Sequence, residues 1–335
     1  MTALRLLIAL PLALSALAAG IQTRDAAPAA TVAHMLRAER GWTSSQQGLA
    51  PRSMRSTRAR HGRRWSYDWP VKPFDRPHPA RGYFNDPRIV PGISYSFHFG
   101  VDIGIPSFNT PVYAIRAGRV HMRNRWAVSI TSGNQRFEYW HIVPVVHEGQ
   151  LVNRHTLLGK TKGIFNHVHL SEFVDGRVVN PLRPGGIGPY LDRTAPTTDR
   201  LSFRRAGGGI VDGAVHGTVA IVADSYDTVP EVTPKPWPVT PALLKWRILR
   251  AGRVVVRWQV AHDFRSQLNA NGRFHSIYAR GTRMNHPGWP GHYCFYLAKA
   301  WSSANLRNGS YMLEVAASDV QGNSALSLFD FEIAN

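Results

Sequence analysis

Cysteine is almost absent: Cys294 is the only one in 335 residues. That excludes an intrachain disulfide framework and a cysteine-built zinc site, so any metal centre must draw on histidine and carboxylates. Acidic residues are scarce, 21 against 40 Lys+Arg, for a formal net charge of +19. Lysine is scarce too, six of those 40 cations, so arginine carries the charge, and such a chain favours polyanionic surroundings. Long apolar runs are missing beyond the first twenty residues, which leaves no transmembrane anchor. The 23 Pro and 29 Gly are scattered without repeat, and 44% hydrophobic against 18% charged residues argues against a wholly disordered chain. At ~150 residues per domain, the length suggests about two domains.

What is present begins with a targeting signal. Met1 to Gly20 carries one cation, Arg5, then the apolar run Leu6 to Ala19, interrupted by Pro11 and ending in Ala16-Leu17-Ala18. This is the pattern of a secretory signal peptide, residues 1–18, cleaved after Ala18 or Ala19. No cysteine follows to take a lipid, so the expected location is secreted or periplasmic. Residues 19–64 read as a basic, disordered leader, with Arg52, Arg55, Arg58, Arg60, Arg63 and Arg64 opposed by almost no acid. Such a tail would tether the chain to an anionic envelope polymer; export and the lack of a binding motif argue against nucleic acid. Residues 65–89 combine Trp65, Tyr67, Trp69, Phe74, Tyr83 and Phe84 with Pro70, Pro73, Pro77 and Pro79. The aromatics need a packing surface and the prolines forbid a regular helix or central strand, so an extended strap over the next domain is expected.

Residues 90–192 show short strand-like segments, such as Trp126-Ala-Val-Ser-Ile130, with Gly/Asn/Pro breaks and no convincing 3.6-residue stripe. The fold class is all-β. Three histidine groups are set into it: His98-Phe-Gly-Val-Asp102, Tyr139-Trp-His141, and His167-Val-His169. Strand alternation puts the His167 and His169 imidazoles on one face, with Val168 turned into the core. His98, Asp102 and His169 together make three N/O ligands, the count that leaves zinc a fourth, open position. Singly each group is commonplace. Jointly, in one compact β segment, they point to a catalytic metal centre. His147 and His155 are read as surface residues.

The ordered set His98-Phe-Gly-Val-Asp102, Thr110-Pro-Val-Tyr-Ala114, Gly118-Arg-Val120, Tyr139-Trp-His141-Ile142, Gly149-Gln-Leu-Val152, His167-Val-His169-Leu170 and Gly176-Arg-Val-Val-Asn180-Pro181 resembles the LytM/lysostaphin-type zinc metallopeptidases, which are peptidoglycan endopeptidases. The resemblance covers about residues 90–190. It implies an antiparallel β-sheet catalytic domain in which His98, Asp102 and His169 bind Zn2+ while His141 and His167 flank the reacting water. It also implies peptidoglycan as the substrate. The departures are His155 in place of a glycine, the loop Thr161-Lys-Gly-Ile-Phe-Asn166, and Val168 for a common leucine. Non-catalytic relatives typically lose some of the five positions, and none is lost here.

Residues 193–335 read as spaced strands, including Val254 to Val260, Tyr311 to Ala317 and Leu326 to Ile333, and suggest a β-sandwich. Asn308-Gly-Ser-Tyr311, followed by a turn at Gly322-Asn323, resembles the closing hairpin of an immunoglobulin-like domain. Trp237, Trp289, Tyr293 and Trp301 are assigned to packing rather than carbohydrate binding. Asp224 and Asp227 are taken as ordinary loop carboxylates rather than a Ca2+ site, and Cys294 as a buried thiol. The expectation is a monomeric, exported zinc metalloendopeptidase acting on peptidoglycan and attracted by anionic envelope polymers. Its rivals are a non-catalytic wall-binding protein or hydrolase activator, and a secreted protease for Gly-rich proteins.

Overall fold

The computed structural model describes residues 48–57, 65–90, 92–162, 166–228, 237–285 and 290–335. The signal peptide, most of the leader, loop residues 163–165 and Trp289 lie outside them. The described chain is nearly all β, in antiparallel sheets, as the alternating patterns predict; its helical content is one turn at Phe274–Ile277 preceded by a 3-10 turn at Asn271–Arg273. Among these residues no helix is long and apolar enough to cross a membrane.

The first core is built on an eight-stranded sheet. Its order runs Leu151–Val152, Gly118–Asn124, Ala127–Ser132, Gln135–Trp140, His167–Val174, Val101–Gly104, Ala80–Gly82, with Arg177–Val179 paired to the end of His167–Val174. The inward positions Val120, Val128, Ile130, Phe137, Tyr139, Ile103, Val168 and Leu170 are all at most 1% exposed. Sealing apolar side chains of this size stabilises by about 1.5–3 kcal/mol each. The strap belongs to this core rather than lying over it: Trp69 and Val71 are fully buried, and Ala80–Gly82 forms an edge strand paired to Val101–Gly104.

The second core lies between two sheets. One has five strands, in the order Ser53–Thr57, Ser324–Ile333, Gly309–Ser318, Leu243–Arg250, Arg253–Asp263; the other joins Thr197–Arg204, Thr218–Thr228, Pro238–Val239 and Cys294–Ser302. Both contribute inward residues to one cluster that includes Leu201, Ile221, Phe295, Leu313, Val315 and Phe329, which makes this region a β-sandwich. The hairpin Gly309–Ser318/Ser324–Ile333 is present, closed by a turn at residues 319–323. Tyr293 and Trp301 are buried, in keeping with their assignment to packing.

Two expectations are modified. Residues 48–57 of the presumed leader are not a free tail: Ser53–Thr57 pairs along Ser324–Ile333, from Ser53 opposite Leu328 to Thr57 opposite Ser324, and Leu49 bridges Leu201. Ser-Met-Arg-Ser-Thr has no hydrophobic alternation, because this edge strand is exposed along its whole length and is held by backbone bonds. Nor do the two cores divide at one point in sequence. Ile89 and Phe97, from the hairpin Pro87–Val90/Ser94–Phe97, sit in the second core, while Val239, Ala242 and Val320 sit in the first. A linear reading of composition cannot see such an exchange of arms.

Candidate metal centre

Asp102 and His169 are direct cross-strand partners, so both side chains rise from one face of the large sheet. His98 reaches the same point from the turn before Val101–Gly104. That approach requires glycine at position 100, where a Cβ would stand 2.3 Å from the Leu170 carbonyl and 2.8 Å from His169 Nε2. Gly82 performs the same service on the other flank, where a Cβ would meet Asp102 Oδ2 at 2.6 Å.

Three donor atoms converge. His98 Nε2 lies 2.7 Å from His169 Nδ1, and Asp102 Oδ1 is 3.0 Å from each. The outer nitrogens are occupied: His98 Nδ1 donates to the Tyr83 carbonyl at 2.8 Å, and His169 Nε2 pairs with Ser171 Oγ at 2.8 Å. The Tyr83 carbonyl can only accept, so it fixes the His98 proton on Nδ1 and leaves Nε2 a lone pair. With the His169 proton likewise outward on Ser171 Oγ, two lone pairs and a carboxylate oxygen face one another in a buried site; with it inward, His169 Nδ1 donates to Asp102 Oδ1 or His98 Nε2. The first arrangement is repulsive unless a cation or proton sits between them. Two ligands about 2.0–2.2 Å from a tetrahedral zinc stand roughly 3.3 Å apart, so these donors, 2.7–3.0 Å from one another, would spread by a few tenths of an ångström to take such an ion, and their chemistry and outer hydrogen bonds fit it.

The electrostatics point the same way. Burial lowers His98 and holds His169 down at about 4, so both imidazoles are neutral near pH 7. Burial alone would raise Asp102, but the surrounding His98, His167 and His169 outweigh it and hold the carboxyl well below its usual range. Arg88 fixes the second oxygen: its guanidinium donates to Asp102 Oδ2 at 2.7 Å.

His141 and His167 stand beside this group. His141 follows the strand Gln135–Trp140 at φ 69, and this left-handed residue ends the strand and swings the ring towards His167, with centroids 4.8 Å apart and planes at 81°. His167 Nε2 is 3.6 Å from Asp102 Oδ1, near but outside hydrogen-bonding distance. Burial lowers both, His141 most. Val168 between the two strand histidines is fully buried, as the alternation requires. Phe99 closes one side, its ring 4.6 Å from His169.

All five residues singled out from sequence are therefore brought together. Sequence reading missed Arg88, Ser171, Phe99 and the Tyr83 carbonyl. Ser171 was accessible in principle, two residues after His169 on the same strand face; Arg88 was not, being one arginine among many. His155 is half-buried rather than a simple surface residue. It holds φ 64, stacks on Phe74 at 3.8 Å and pairs with Asp68 at 3.1 Å, contacts that compensate a backbone region better suited to glycine. Asp224 and Asp227, considered together from sequence, separate. Asp224 accepts from His292 Nε2 at 3.0 Å and, against the effect of burial, raises that histidine, whose Nδ1 faces the Gly281 carbonyl at 3.2 Å; this is a closed ion pair beside the buried Cys294. Asp227 joins a different group, with Asp192 and Asp319.

No family model matches the chain, and no curated protein matches it. Among solved structures it is similar in part to Csd3 of Helicobacter pylori, at 21% identity over 39% of this chain and 37% of that one, with a TM-score of 0.29. A zinc-containing peptidase from Vibrio cholerae aligns at 23% identity over 37% of this chain and 44% of that one, TM-score 0.30. The M23 metalloprotease pseudoalterin, from the deep sea, aligns at 15% identity over 65% and 98%, TM-score 0.24. The chain covers less than half the length of the first two.

Proposed function

We propose that this protein is a zinc metalloendopeptidase that hydrolyses peptide bonds in peptidoglycan stem peptides or cross-bridges. The observation that carries the reading is the convergence of two imidazole nitrogens and one carboxylate oxygen within 2.7–3.0 Å, with two further neutral histidines beside them. In this reading His98, Asp102 and His169 hold the metal. When bound, zinc supplies Lewis acidity to a carbonyl oxygen and acidifies water. His141 and His167, both lowered, enter the reaction as neutral bases able to take a proton from water, and once protonated they can donate to the departing amine. Arg88 keeps Asp102 oriented and charged, and the Tyr83 carbonyl and Ser171 hydroxyl hold the two ligand imidazoles in the required tautomers.

Support for the wall as substrate comes from the motif resemblance over residues 90–190, from the export-type N-terminal segment and from a net charge of +19, which suits an anionic envelope. The test is zinc content by elemental analysis of the purified protein, together with release of free amines from purified sacculi with and without chelator. Equimolar zinc and chelator-sensitive release are expected. Zinc with sacculus binding but no release would favour the non-catalytic wall-binding reading, and release from a Gly-rich polypeptide but not from sacculi would favour a protein substrate. Absence of zinc uptake would overturn the mechanism.

A further inference from the structure

A second cluster, unrelated to the histidine site, lies where the two cores meet. Asp192 is in the segment that leaves the large sheet, Asp227 is near the end of the strand Thr218–Thr228, and Asp319 is in the turn between Gly309–Ser318 and Ser324–Ile333. They are 2%, 1% and 3% exposed, and one oxygen from each lies within 4.8 Å of the others. Among the described residues, no ion pair includes any of the three.

Buried carboxylates without a counter-charge are costly unless something between them supplies it. Hydrogen bonds satisfy part of the group. Asp192 accepts from Thr194 N at 2.9 Å, Thr194 Oγ1 at 2.6 Å and Tyr190 OH at 3.1 Å. Asp319 accepts from Gly322 N at 2.6 Å, Asn323 N at 2.8 Å and Asn323 Nδ2 at 2.5 Å. Asp227 uses Oδ1 on the Thr228 amide at 2.8 Å. Its Oδ2 is sealed from water with no hydrogen-bond partner.

An independent group is aimed at the same place. The Tyr83 hydroxyl, on a residue only 6% exposed, forms no hydrogen bond of proper length and angle. The charges that act on it most strongly are Asp192, Asp227 and Asp319, in that order. A carboxylate oxygen with no hydrogen-bond partner, and a buried hydroxyl near enough to Asp192 to lower its carboxyl yet without a well-formed bond, both face the three acids and complete a cluster of hard oxygen donors.

We propose that Asp192, Asp227 and Asp319 hold a divalent cation of the calcium type, which ties the segment leaving the large sheet to the second sheet pair. Two oxygens bound to one Ca2+ at about 2.3–2.6 Å cannot stand more than roughly 5.2 Å apart, a limit that all three oxygens of this group meet. The donors are all oxygen, which selects against zinc and separates this site from the histidine centre. Neutral bonds also stitch this joint, among them Asn323 Nδ2 to the Asp192 carbonyl at 2.9 Å and Thr194 Oγ1 to the Thr228 carbonyl at 2.8 Å. Burial raises all three acids, and repulsion from the neighbouring carboxylates adds to it at Asp227 and at Asp319, which reaches about 7; a cation would relieve that strain.

The test uses the full chain with zinc retained. Calcium content after exhaustive dialysis, and calorimetric titration of CaCl2 into protein freed of calcium at pH 8, should both give one site per chain, with the melting temperature rising as it fills. Asp227→Asn, which keeps volume but removes a charge, should weaken calcium binding by roughly tenfold or more while leaving zinc content intact. A wild-type protein that holds no calcium, takes up none and melts at one temperature throughout the titration would overturn the proposal and leave a cluster that shares protons instead. Should Asp227→Asn not fold, the wild-type stoichiometry decides alone.

Discussion

Two buried clusters of three ligand-type residues sit on either side of one tyrosine, and they differ in what each asks of its surroundings. The His98/Asp102/His169 group mixes nitrogen and oxygen, has its outer nitrogens anchored by Tyr83 and Ser171, and has two more histidines beside it. The Asp192/Asp227/Asp319 group offers oxygen alone and is buried where the two cores meet. In the proposed readings the first serves chemistry at an open position and the second holds a structural cation. Tyr83 touches both, with its carbonyl serving the first and its hydroxyl facing the second.

The comparison breaks most sharply at the histidines. His169→Ala should lose zinc and activity together, and His98→Ala and Asp102→Ala should do the same. His141→Ala and His167→Ala should retain near-equimolar zinc but lose turnover by about 10²–10⁴-fold, the usual worth of a positioned acid or base. Elemental analysis beside amine release separates the two classes, and loss of metal from His141→Ala or His167→Ala would show that these residues are ligands.

Next comes the arginine that steadies the carboxylate. Arg88→Met removes the 2.7 Å bond to Asp102 Oδ2 and leaves that oxygen uncompensated. Zinc affinity should fall by roughly 10–100-fold, the range seen when a partner of a metal ligand is deleted. Competition with a chelator of known affinity measures it; an unchanged zinc constant would mean the bond is incidental.

The two kinds of buried group should also tilt stability with pH in opposite senses once metals are removed. Asp319 is raised to about 7 by burial and by Asp192, so the folded state holds a proton that the unfolded state releases near pH 4; its contribution is present at low pH and lost as pH rises through about 7. His262, buried over the second core and held at about 4 by burial, behaves the other way: the unfolded state takes up a proton that the folded state refuses, so stability falls as pH drops from about 6.5 towards 4. In metal-stripped protein, Asp319→Asn should gain on the order of 3 kcal/mol relative to wild type between pH 5 and pH 8. Denaturant melts at the two pH values check this, and parallel pH profiles for variant and wild type would show that Asp319 is ionised throughout.

Much of the histidine site was legible because strand alternation is a strict rule: His167, Val168 and His169 could be assigned to faces before any fold was known, and Cys294 as the lone thiol removed the main rival ligand set. The aspartate site was not legible, since Asp192, Asp227 and Asp319 are separated by 35 and 92 positions and meet only because Val239, Ala242 and Val320 pack into the first core. Pattern reading weighed Asp227 only beside Asp224 and took both for ordinary loop carboxylates, because proximity along the chain is the only neighbourhood a sequence displays; both are buried in the strand Thr218–Thr228. The same limit hid the edge strand Ser53–Thr57, which follows the backbone of Ser324–Ile333 without an apolar side chain facing the core.

The smallest predicted effect is also the one that separates the clusters most cleanly. Tyr83→Phe removes the hydroxyl that faces the aspartates but leaves the backbone carbonyl that accepts from His98 Nδ1 and the amide that donates to Asp86 Oδ2. If the two sites are independent, zinc content should stay equimolar and amine release should stay within roughly twofold of wild type, the tolerance expected for uncoupled positions. The calcium-dependent rise in melting temperature should change in the same variant, because a buried hydroxyl beside the acids has been replaced by hydrogen. A drop in turnover with zinc retained would instead show that the joint holds the ligand turn in place, and that the large sheet alone does not fix the position of His98.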